Sequence, residues 1–451
     1  MIKHSLSLIS ICLLNACSLV NYQPIETIEK VELNHGYRML QQITKQNESD
    51  NFIILILSGG GTRAAALGYG VLEQLAMTKI KTSDKGETLL ENIDLVYGVS
   101  GGSVLAAYFA LHGKHTIPEF ENKFLKLDFQ RQIIKQVFSL SNMPRLTSAE
   151  FGRGDLLQEQ LNQTLFKDAT FSDLVNGRKG PFAVISATDM SIGQRINFTQ
   201  EFFDIMCLNL NDLEVARAVA ASSAVPLIFA PLTLNNNGGN CDFQMSPEIL
   251  QMIHQEEGMR DKTRQEYKQM ISQYQNSEER PFIHLIDGGL TDNLGLRSLL
   301  DMGDVYGQDL LYQKITSGNI RNIVVINVNA QNQISSNVDK TADIPGISDV
   351  MNAVINVPID QYSLESLRRF RIFTDEWNEK LGKRNRNKRV TLHFVSLNLK
   401  DLPESILRDE VLNISTSFYL SPKNVNQLKQ AAKVLLQQSS EYREALQVLE
   451  H

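Results

Sequence analysis

The chain has 451 residues and a formal net charge of −7, and 42% of its residues are hydrophobic. This composition is that of a globular protein, and the length suits one sizeable α/β domain with additions, or two small domains. The negative charge disfavours general binding to nucleic acid, which is itself a polyanion.

The first 17 residues have the pattern of an export signal. Lys3 precedes an apolar stretch over residues 6–14, which is too short for a spanning helix but typical of a secretory signal. The stretch ends in Leu14-Asn15-Ala16-Cys17, which resembles the lipobox of bacterial lipoproteins. This resemblance implies acylation of Cys17 and attachment to the bacterial cell envelope, and Ser18 favours the outer membrane. An ordinary signal peptide with a coincidental cysteine is the alternative.

The first predicted strand, over residues 52–57, opens into Gly59-Gly60-Gly61-Thr62-Arg63 and then a helical pattern over residues 64–77. Before it, residues 17–50 predict a polar tether with a first helix around residues 33–45. Backbone amides at a helix N-terminus bind anions, and beside a serine nucleophile they can hold the oxyanion of a tetrahedral intermediate. Arg63 would add positive charge there. A Walker-type phosphate loop is excluded because its lysine is missing, and a plain strand-to-helix turn remains the alternative.

The sequence Gly98-Val99-Ser100-Gly101-Gly102 follows a mainly apolar run that starts at residue 93, and residues 103–111 have the pattern of a buried helix. A G-x-S-x-G motif between a strand and a helix is typical of a nucleophile elbow. Gly98 and Gly102 are needed there because a Cβ would collide with neighbouring backbone. We therefore predict that Ser100 is a nucleophile.

The rest of the chain alternates predicted strands with helices, which indicates a parallel sheet. The further strands are predicted at residues 182–187, 282–286, 322–328 and 390–396. Amphipathic helices are predicted within residues 119–180, and a final helix over residues 426–450. Residues 246–275 form a charged helical stretch, which we interpret as a surface helix packed on the core, with a lid as the alternative.

Asp287 ends the predicted strand at residues 282–286 and is followed by Gly288 and Gly289. Catalytic groups of open α/β sheets collect at the carboxyl ends of strands, where Ser100 and the triple glycine are also predicted. Taken alone, this Asp-Gly pair would indicate only a common turn. Asp189 also ends a predicted strand, and there a turn cap is the preferred interpretation.

Together these segments resemble the patatin-like phospholipase family. That family has a G-G-G-x-[RK] loop, a G-x-S-x-G nucleophile and a D-G-[GA] aspartate, which match residues 59–63, 98–102 and 287–289 in the same order. Residues 220–231 resemble the family's A-S-x-A-x-P segment, whereas Ala64 stands where many members have glycine.

The resemblance covers residues 51–330 and implies a patatin-like three-layer α/β/α fold with a mainly parallel central sheet. It also implies that Ser100 and Asp287 form a catalytic dyad, that Gly59, Gly60 and Gly61 hold the oxyanion, and that lipid acyl esters are hydrolysed. The predicted organisation is a signal peptide (1–16), a lipidated tether with the first helix (17–50), the catalytic domain with its insertion (51–330) and an α/β extension packed on it (331–451).

The histidines favour a dyad over a triad. An α/β-hydrolase places its histidine after the acid, which leaves His393 in a strand-like run and His451 at the chain end. His112 and His115 follow the elbow helix and fit its end. His284 either orients the aspartate or is an ordinary strand histidine. Because no cluster of His, Cys and Asp has the spacing of metal ligands, neither a metal nor a cofactor is predicted.

Cysteine arithmetic predicts one disulfide bond. Cys12 leaves with the signal and Cys17 is acylated, so Cys207 and Cys241 remain in the mature chain. Two cysteines in an exported protein form a pair more often than not. Two buried thiols are the alternative.

The predicted partners are a membrane, bound through acylated Cys17, and membrane lipid as the substrate. The sequence leaves the oligomeric state open. Two other functions also stay open. One is an esterase or thioesterase acting on soluble substrates, and the other is a non-catalytic lipoprotein that keeps the fold.

Overall fold

The computed structural model describes residues 20, 22–39, 41, 50–80, 87–247, 250, 258–307, 311, 315, 320–333, 337–381 and 390–449. The predicted signal peptide and Cys17 lie outside these residues, as does part of the insertion at 246–275. The first helix predicted around residues 33–45 is wrong at its start, because residues 33–38 are not helical and Gly36 has φ 87°, while residues 40 and 42–45 lie outside the described ranges. Within the described ranges, no helix is long and apolar enough to cross a membrane.

An eight-stranded sheet runs through the molecule, and helices flank it. The strands are β1 (Asn51–Leu57), β2 (Leu95–Val99), β3 (Phe182–Asp189), β4 (Gln194–Asn197), β5 (Leu232–Asn235), β6 (Phe282–Ile286), β7 (Asn322–Asn329) and β8 (Thr391–Asn398). Their order is β5-β6-β3-β2-β1-β7-β8, with β4 paired to the edge of β3. All six strands expected from the sequence are present, whereas the short strands β4 and β5 were not predicted.

Helices connect the strands in an α/β alternation. They are α1 (Gly61–Met77), α2 (Gly101–His112), α3 (Thr116–Phe120), α4 (Phe129–Val137), α5 (Arg153–Leu161), α6 (Phe171–Asn176), α7 (Gln200–Ile205), α8 (Val215–Ser222), α9 (Gly258–Gln275), α10 (Gly289–Asp292), α11 (Leu296–Tyr306), α12 (Ile347–Glu376), α13 (Ile406–Leu412), α14 (Pro422–Gln438) and α15 (Ser440–Leu449). The predicted final helix over residues 426–450 is two helices, because the chain turns at Ser439, whose extended backbone ends α14.

The central strands are buried on both faces. Every residue of β2 and β3 is buried, and so is every residue of β1 after Asn51. Strands covered on both faces have nearly continuous apolar sequences rather than alternating ones, which is why these runs were recognisable. Helix α2 is buried from Gly101 to Ala110 and is apolar all round, as expected for a helix enclosed by other elements.

The register of the parallel strands aligns their carboxyl ends. Leu57 at the end of β1 pairs with Gly98 of β2 and with Val328 of β7, and Val99 pairs with Ser186 of β3. The segments that follow β1 and β2 therefore emerge side by side at one edge of the sheet. These segments are the triple-glycine loop and the Ser100 turn.

Strand β6 does not follow the parallel pattern, and this corrects the expected route of Asp287 to the site. β6 runs antiparallel to β3, with Thr188 opposite Ile286 and Asp189 opposite Leu285. β3 extends beyond the end of β2, so β6 pairs with this extension and enters the site from the opposite direction. Its last residues thereby bring Asp287 down to the level of Ser100.

The end of α9 is attached to the core through Asp189. The Tyr274 hydroxyl donates a hydrogen bond of 2.9 Å to Asp189 Oδ2, and Arg280 donates one of 2.6 Å to the same oxygen. Asp189 Oδ1 accepts a bond from the Ser191 amide, so this residue also caps the turn after β3 as predicted. The described part of the insertion is thus a surface helix packed on the domain.

A disulfide bond joins Cys207 and Cys241, and both cysteines are buried. Cys207 follows α7, and Cys241 lies in the loop after β5. The bond closes the chain segment that contains α8, and α8 ends beside the Ser100 turn.

Candidate active site

Ser100 lies on the turn between β2 and α2, where its backbone has φ 50° and ψ −123°. Residues other than glycine rarely adopt a positive φ, and such strained residues cluster at functional sites. The Ser100 amide donates a hydrogen bond of 2.8 Å to Ser222 Oγ, and the Ser100 carbonyl accepts one of 2.9 Å from the Ser103 amide. These bonds hold the strained backbone that carries the serine hydroxyl.

Gly98 and Gly102 allow β2, β1 and α2 to approach closely at this turn. A Cβ atom on Gly98 would lie 2.6 Å from the Cβ of Ala106, and one on Gly102 would lie 2.6 Å from the carbonyl oxygen of Ser58. Neither contact is possible between real atoms, so a larger side chain would push the helix off the sheet. Both elbow positions therefore require glycine.

Asp287 lies directly beside the serine. Ser100 Oγ donates a hydrogen bond of 2.7 Å to Asp287 Oδ2, and the Gly289 amide donates one of 2.7 Å to Asp287 Oδ1. The backbone is held as well, because the Asp287 amide donates to the Ala224 carbonyl and its own carbonyl accepts from Thr188 Oγ1. Each carboxylate oxygen thus has one donor, and the group is oriented toward the serine hydroxyl.

Burial shifts the pKa of the Asp287 carboxyl group. Ser100 is 5% exposed and Asp287 is 7% exposed. Burial raises the pKa of Asp287 to about 6, although the hydrogen bonds from Ser100 and Gly289 lower it. At neutral pH the carboxyl group is mostly ionised and is a stronger base than an exposed aspartate.

The triple-glycine loop runs from the end of β1 into α1. Gly60 has φ 135°, which favours glycine. The Gly59 amide donates a hydrogen bond of 2.9 Å to the Asn293 carbonyl, and the Thr62 amide donates one of 2.9 Å to the Ser417 carbonyl. Among the described residues, no protein acceptor is seen for the amides of Gly60 and Gly61. The amide of Gly59, also predicted to hold the oxyanion, is thus already bonded to Asn293, and Gly60 and Gly61 are the loop donors left for an anion.

The Arg63 side chain holds the loop in place. Its guanidinium donates hydrogen bonds to the carbonyl of Ala330, through Nε at 2.8 Å, and of Ile414, through Nη1 at 2.7 Å. Burial lowers the pKa of Arg63 to about 10, and the nearby negative charge of Asp360 opposes this shift. Because its hydrogen bonds go to backbone carbonyls, Arg63 joins the start of α1 to two distant segments of the chain.

The histidines within the described residues lie apart from the pair. His284 contacts Thr233 on the neighbouring strand through Nδ1, and His393 contacts Thr391 through Nε2. His112 and His115 line a cavity of about 470 Å³ at the amino ends of the central strands, which is the opposite edge of the sheet. His451 lies outside the described residues.

Three contributors to the site were not predicted from the sequence. Ser222 Oγ accepts a hydrogen bond from the Ser100 amide, and Thr188 Oγ1 donates one to the Asp287 carbonyl. The carbonyl of Asn293 accepts a hydrogen bond from the glycine loop. The Asn293 side chain also lies against the loop, because a Cβ on Gly59 would collide with Asn293 Oδ1. Ser222 lies in the A-S-x-A-x-P segment, which was identified from the sequence, whereas the hydrogen bond of Ser222 to Ser100 was not predicted. In the described part of the chain, no group of His, Cys, Asp or Glu side chains is placed to hold a metal ion.

Comparisons with known proteins add the following. The model of the patatin-like phospholipase family matches residues 55–300, which is more than half of the chain. Human GIVD cytosolic phospholipase A2 is 11% identical with a TM-score of 0.46, and the match covers 91% of this chain and 62% of that one. VipD from Legionella pneumophila is 12% identical with a TM-score of 0.30, covering 96% and 72%. The type III effector ExoU is 16% identical with a TM-score of 0.25, covering 89% and 78%. A search of curated protein sequences gave no match.

Proposed function

This chain belongs to the patatin-like phospholipase family, and we propose that it is a serine acyl hydrolase that cleaves acyl esters of membrane lipids. The observation that carries the proposal is the 2.7 Å hydrogen bond from Ser100 Oγ to Asp287 Oδ2. The bond is buried, and it lies on a strained strand-to-helix turn beside unpaired backbone amides. Nucleophile, base and oxyanion donors are the three parts that acyl transfer needs.

In the first half of the reaction, Ser100 Oγ attacks the ester carbonyl while Asp287 Oδ2 accepts its proton. The negative charge that develops on the carbonyl oxygen is held by the amides of Gly60 and Gly61 and by the amide of Gly101, which follows the nucleophile. The protonated Asp287 then gives its proton to the leaving alcohol. The product at this stage is an acyl-Ser100 ester and a lipid that has lost one acyl chain.

In the second half, water attacks the acyl-Ser100 ester. Asp287 accepts the proton of the water, and the same amides hold the second oxyanion. Collapse of the intermediate returns the proton to Ser100 Oγ and releases a fatty acid. The raised pKa of Asp287 supports this cycle, because a carboxylate with a pKa near 6 accepts a proton more readily than an exposed one.

The substrate follows from the proposed location. Export and acylation at Cys17 would attach the enzyme to a membrane of the bacterial cell envelope, with the outer membrane favoured by Ser18. The catalytic domain would then lie next to lipid at high effective concentration. Membrane phospholipid is therefore the proposed substrate class.

Labelling with a fluorophosphonate tests the proposal. The wild-type protein should form a covalent adduct and hydrolyse phospholipid in vesicles, whereas Ser100→Ala should do neither. Asp287→Asn should lower turnover by about 10²–10⁴-fold, as is usual for loss of a general base.

The histidine variants His284→Ala and His393→Ala are the controls and should keep most activity. If His393→Ala were as inactive as Ser100→Ala, a triad would replace the dyad. Turnover of short soluble esters without any turnover of vesicle phospholipid would favour the esterase, and absence of labelling would favour a non-catalytic protein.

A further inference from the structure

The N-terminal half of α12 presents apolar side chains to solvent. Residues 344–359, here called the apolar arm, contain a single charged residue, Asp349. Five side chains of the arm are between 47% and 94% exposed, namely Ile344, Ile347, Val350, Val354 and Val357. The C-terminal half of the same helix is anchored in the core, where Phe370 packs on Phe394 of β8. Exposed apolar side chains grouped along one segment in this way indicate an interaction site.

Polar groups of the apolar arm make hydrogen bonds within the arm. Asp349 Oδ2 accepts a hydrogen bond of 3.1 Å from the Gly346 amide and so caps the first turn. Asn356 Nδ2 donates one of 2.8 Å to the Asn352 carbonyl. Internal hydrogen bonding of this kind lowers the cost of moving a helix into an apolar medium.

The apolar arm extends from the edge of the sheet that carries Ser100. Helix α12 packs against α10, which begins two residues after Asp287. Asp360, the residue after the arm, accepts a hydrogen bond from Gln331, just beyond the end of β7. Its negative charge also acts on Arg63, which supports the glycine loop. The C-terminal end of the arm therefore lies near the segments that support the site.

A second exposed apolar pair lies on another segment that holds the site. Leu227 and Ile228 are 63% and 54% exposed. They follow Ser222 and Ala224, which bind the backbone of Ser100 and Asp287 respectively. The segment that holds the backbone of the reactive pair thus also exposes apolar side chains.

We propose that the apolar arm docks this enzyme onto a lipid bilayer by inserting among the acyl chains at the interface. The inference rests on the proposed function, since an enzyme that takes its substrate from a bilayer needs an apolar surface beside its site. At 1.5 Å per residue the helical part of the arm, residues 347–359, is about 20 Å long, which is too short to cross the hydrocarbon core and suits a helix lying in the interface.

A bilayer fits the apolar arm better than a coiled-coil partner. Ile347, Val350, Val354 and Val357 follow the 3-4-3 spacing of a coiled coil. However, even with exposed Leu364, one heptad after Val357, the stripe spans only about two and a half heptads and is interrupted at Gln361, whereas sustained pairing needs three to four. Pro358 follows Val357 directly and cannot donate a backbone hydrogen bond. A second copy of the chain is therefore the disfavoured occupant.

The charges around the apolar arm predict how it binds. No Lys or Arg occurs between Lys340 and Arg368. Beyond the arm, Arg369 pairs with Asp304 and Arg371 pairs with Glu441. Attraction to anionic headgroups is thus not the source of affinity. Binding should be hydrophobic, so it should occur on zwitterionic vesicles and change little with salt.

The test measures partition of the full-length chain onto phosphatidylcholine vesicles by flotation. Cys17→Ser and Ser100→Ala are included so that neither an acyl anchor nor hydrolysis contributes. Adding Ile347→Gln, Val350→Gln and Val354→Gln should lower the partition coefficient by at least about tenfold, because three apolar side chains no longer enter the lipid. Glutamine is a good helix former, and these positions are exposed, so the fold should persist.

Met77→Gln is the matched control, because Met77 is exposed at the far end of α1, at the opposite edge of the sheet. It should leave partition unchanged. In protein with Ser100 intact, the three arm substitutions should lower the ratio of vesicle-lipid to soluble-ester hydrolysis, whereas Met77→Gln should not.

Equal partition of arm variant and parent would overturn the inference and leave the proposed function standing. Conversion of a dimer to a monomer by the arm substitutions would identify a second copy as the occupant and would also overturn it. If the protein with Ser100 intact hydrolysed neither substrate, the proposed function would fail, while the partition measured with Ser100→Ala would still decide the role of the arm.

Discussion

At Asp287, burial and hydrogen bonding act in opposite directions on one carboxyl group. Burial raises its pKa, while Ser100 and Gly289 lower it by donating hydrogen bonds, and the result is about 6. The proposed base is therefore mostly ionised at neutral pH. The same environment makes two properties of the protein depend on pH, namely its activity and its stability.

The first prediction is that activity is lost below about pH 6. Asp287 must be ionised to accept the serine proton, so kcat/KM for a soluble ester should fall about tenfold per pH unit below its pKa and stay level from pH 7 to 8. A pH profile of the wild-type protein measures this. His284→Ala and His393→Ala are the controls, and their kcat/KM should fall at the same pH as that of the wild type. A limb near pH 4 would mean that the base is a solvated carboxylate and not buried Asp287.

The second prediction is that Asp287→Asn stabilises the fold at neutral pH. The pKa of Asp287 in the folded protein, about 6, exceeds the ordinary value of 3.8. The stabilising effect of the raised pKa is complete below pH 3.8 and is lost as the pH rises through about 6. At pH 7.5 the buried carboxylate is therefore unfavourable, and an amide in its place should increase the free energy of unfolding by up to about 3 kcal/mol.

Urea unfolding of both proteins at pH 7.5 and at pH 4 measures this effect. The gain of Asp287→Asn should shrink at pH 4, where the wild-type carboxyl group is protonated. An equal gain at both pH values would show that the change acts through packing and not through charge.

At the scale of elements, the site is assembled by segments that lie on either side of it. α1 and α2 begin at the two glycine turns, and the segment after α8 reaches across to bind both the Ser100 turn and Asp287. The Cys207–Cys241 bond closes the loop that contains α8. Stability of this loop therefore bears on the geometry of the reactive pair.

The third prediction concerns this loop. Replacing both cysteines, as Cys207→Ser with Cys241→Ser, should lower the free energy of unfolding by about 3–4 kcal/mol, because the unfolded chain gains conformational freedom. Urea unfolding of the mature protein measures the difference, and reduced wild-type protein should resemble the double variant. Two free thiols in unreduced, unfolded mature protein would contradict the pairing.

At the scale of the whole molecule, three features concern lipid. The Ser100–Asp287 pair is proposed to hydrolyse lipid esters, the apolar arm is exposed and ends near segments that support this pair, and the N-terminus resembles that of a lipoprotein. The arm would supply reversible contact, while an acyl anchor would supply lasting attachment. Buried acyl chains contribute about 0.8 kcal/mol per CH₂ group, so a multiply acylated cysteine holds a protein on a membrane stably.

The fourth prediction is that Cys17→Ser releases the protein from sedimented membranes. It should also lower hydrolysis of bilayer phospholipid more than hydrolysis of soluble p-nitrophenyl esters, because only the first substrate is met at the surface. Cys12→Ser is the matched control, since this cysteine would leave with the signal peptide. Equal effects on both substrates, or unchanged sedimentation, would count against the anchor.

The candidate site residues could be named from the sequence because their signals are local, and the structure brings Ser100 and Asp287 together. A glycine-rich turn between an apolar strand and a helix is visible within a few residues, and so are Ser100 and the triple glycine. The six main strands were predicted because buried strands are continuous apolar runs. The family followed from the order of three motifs, and the match to residues 55–300 confirms it.

Several features of the site could be decided only by the tertiary structure, because they depend on contacts between residues far apart in the chain. Ser100 and Asp287 are separated by 187 positions, and Arg63 and its partner Ile414 by 351. The antiparallel course of β6, the engagement of the Gly59 amide and the role of Ser222 all arise from such contacts. The pKa of Asp287 likewise depends on the burial that the fold creates, and the exposure of the arm depends on how the described helices pack. A sequence pattern records which side chains follow one another, whereas these properties depend on which side chains meet.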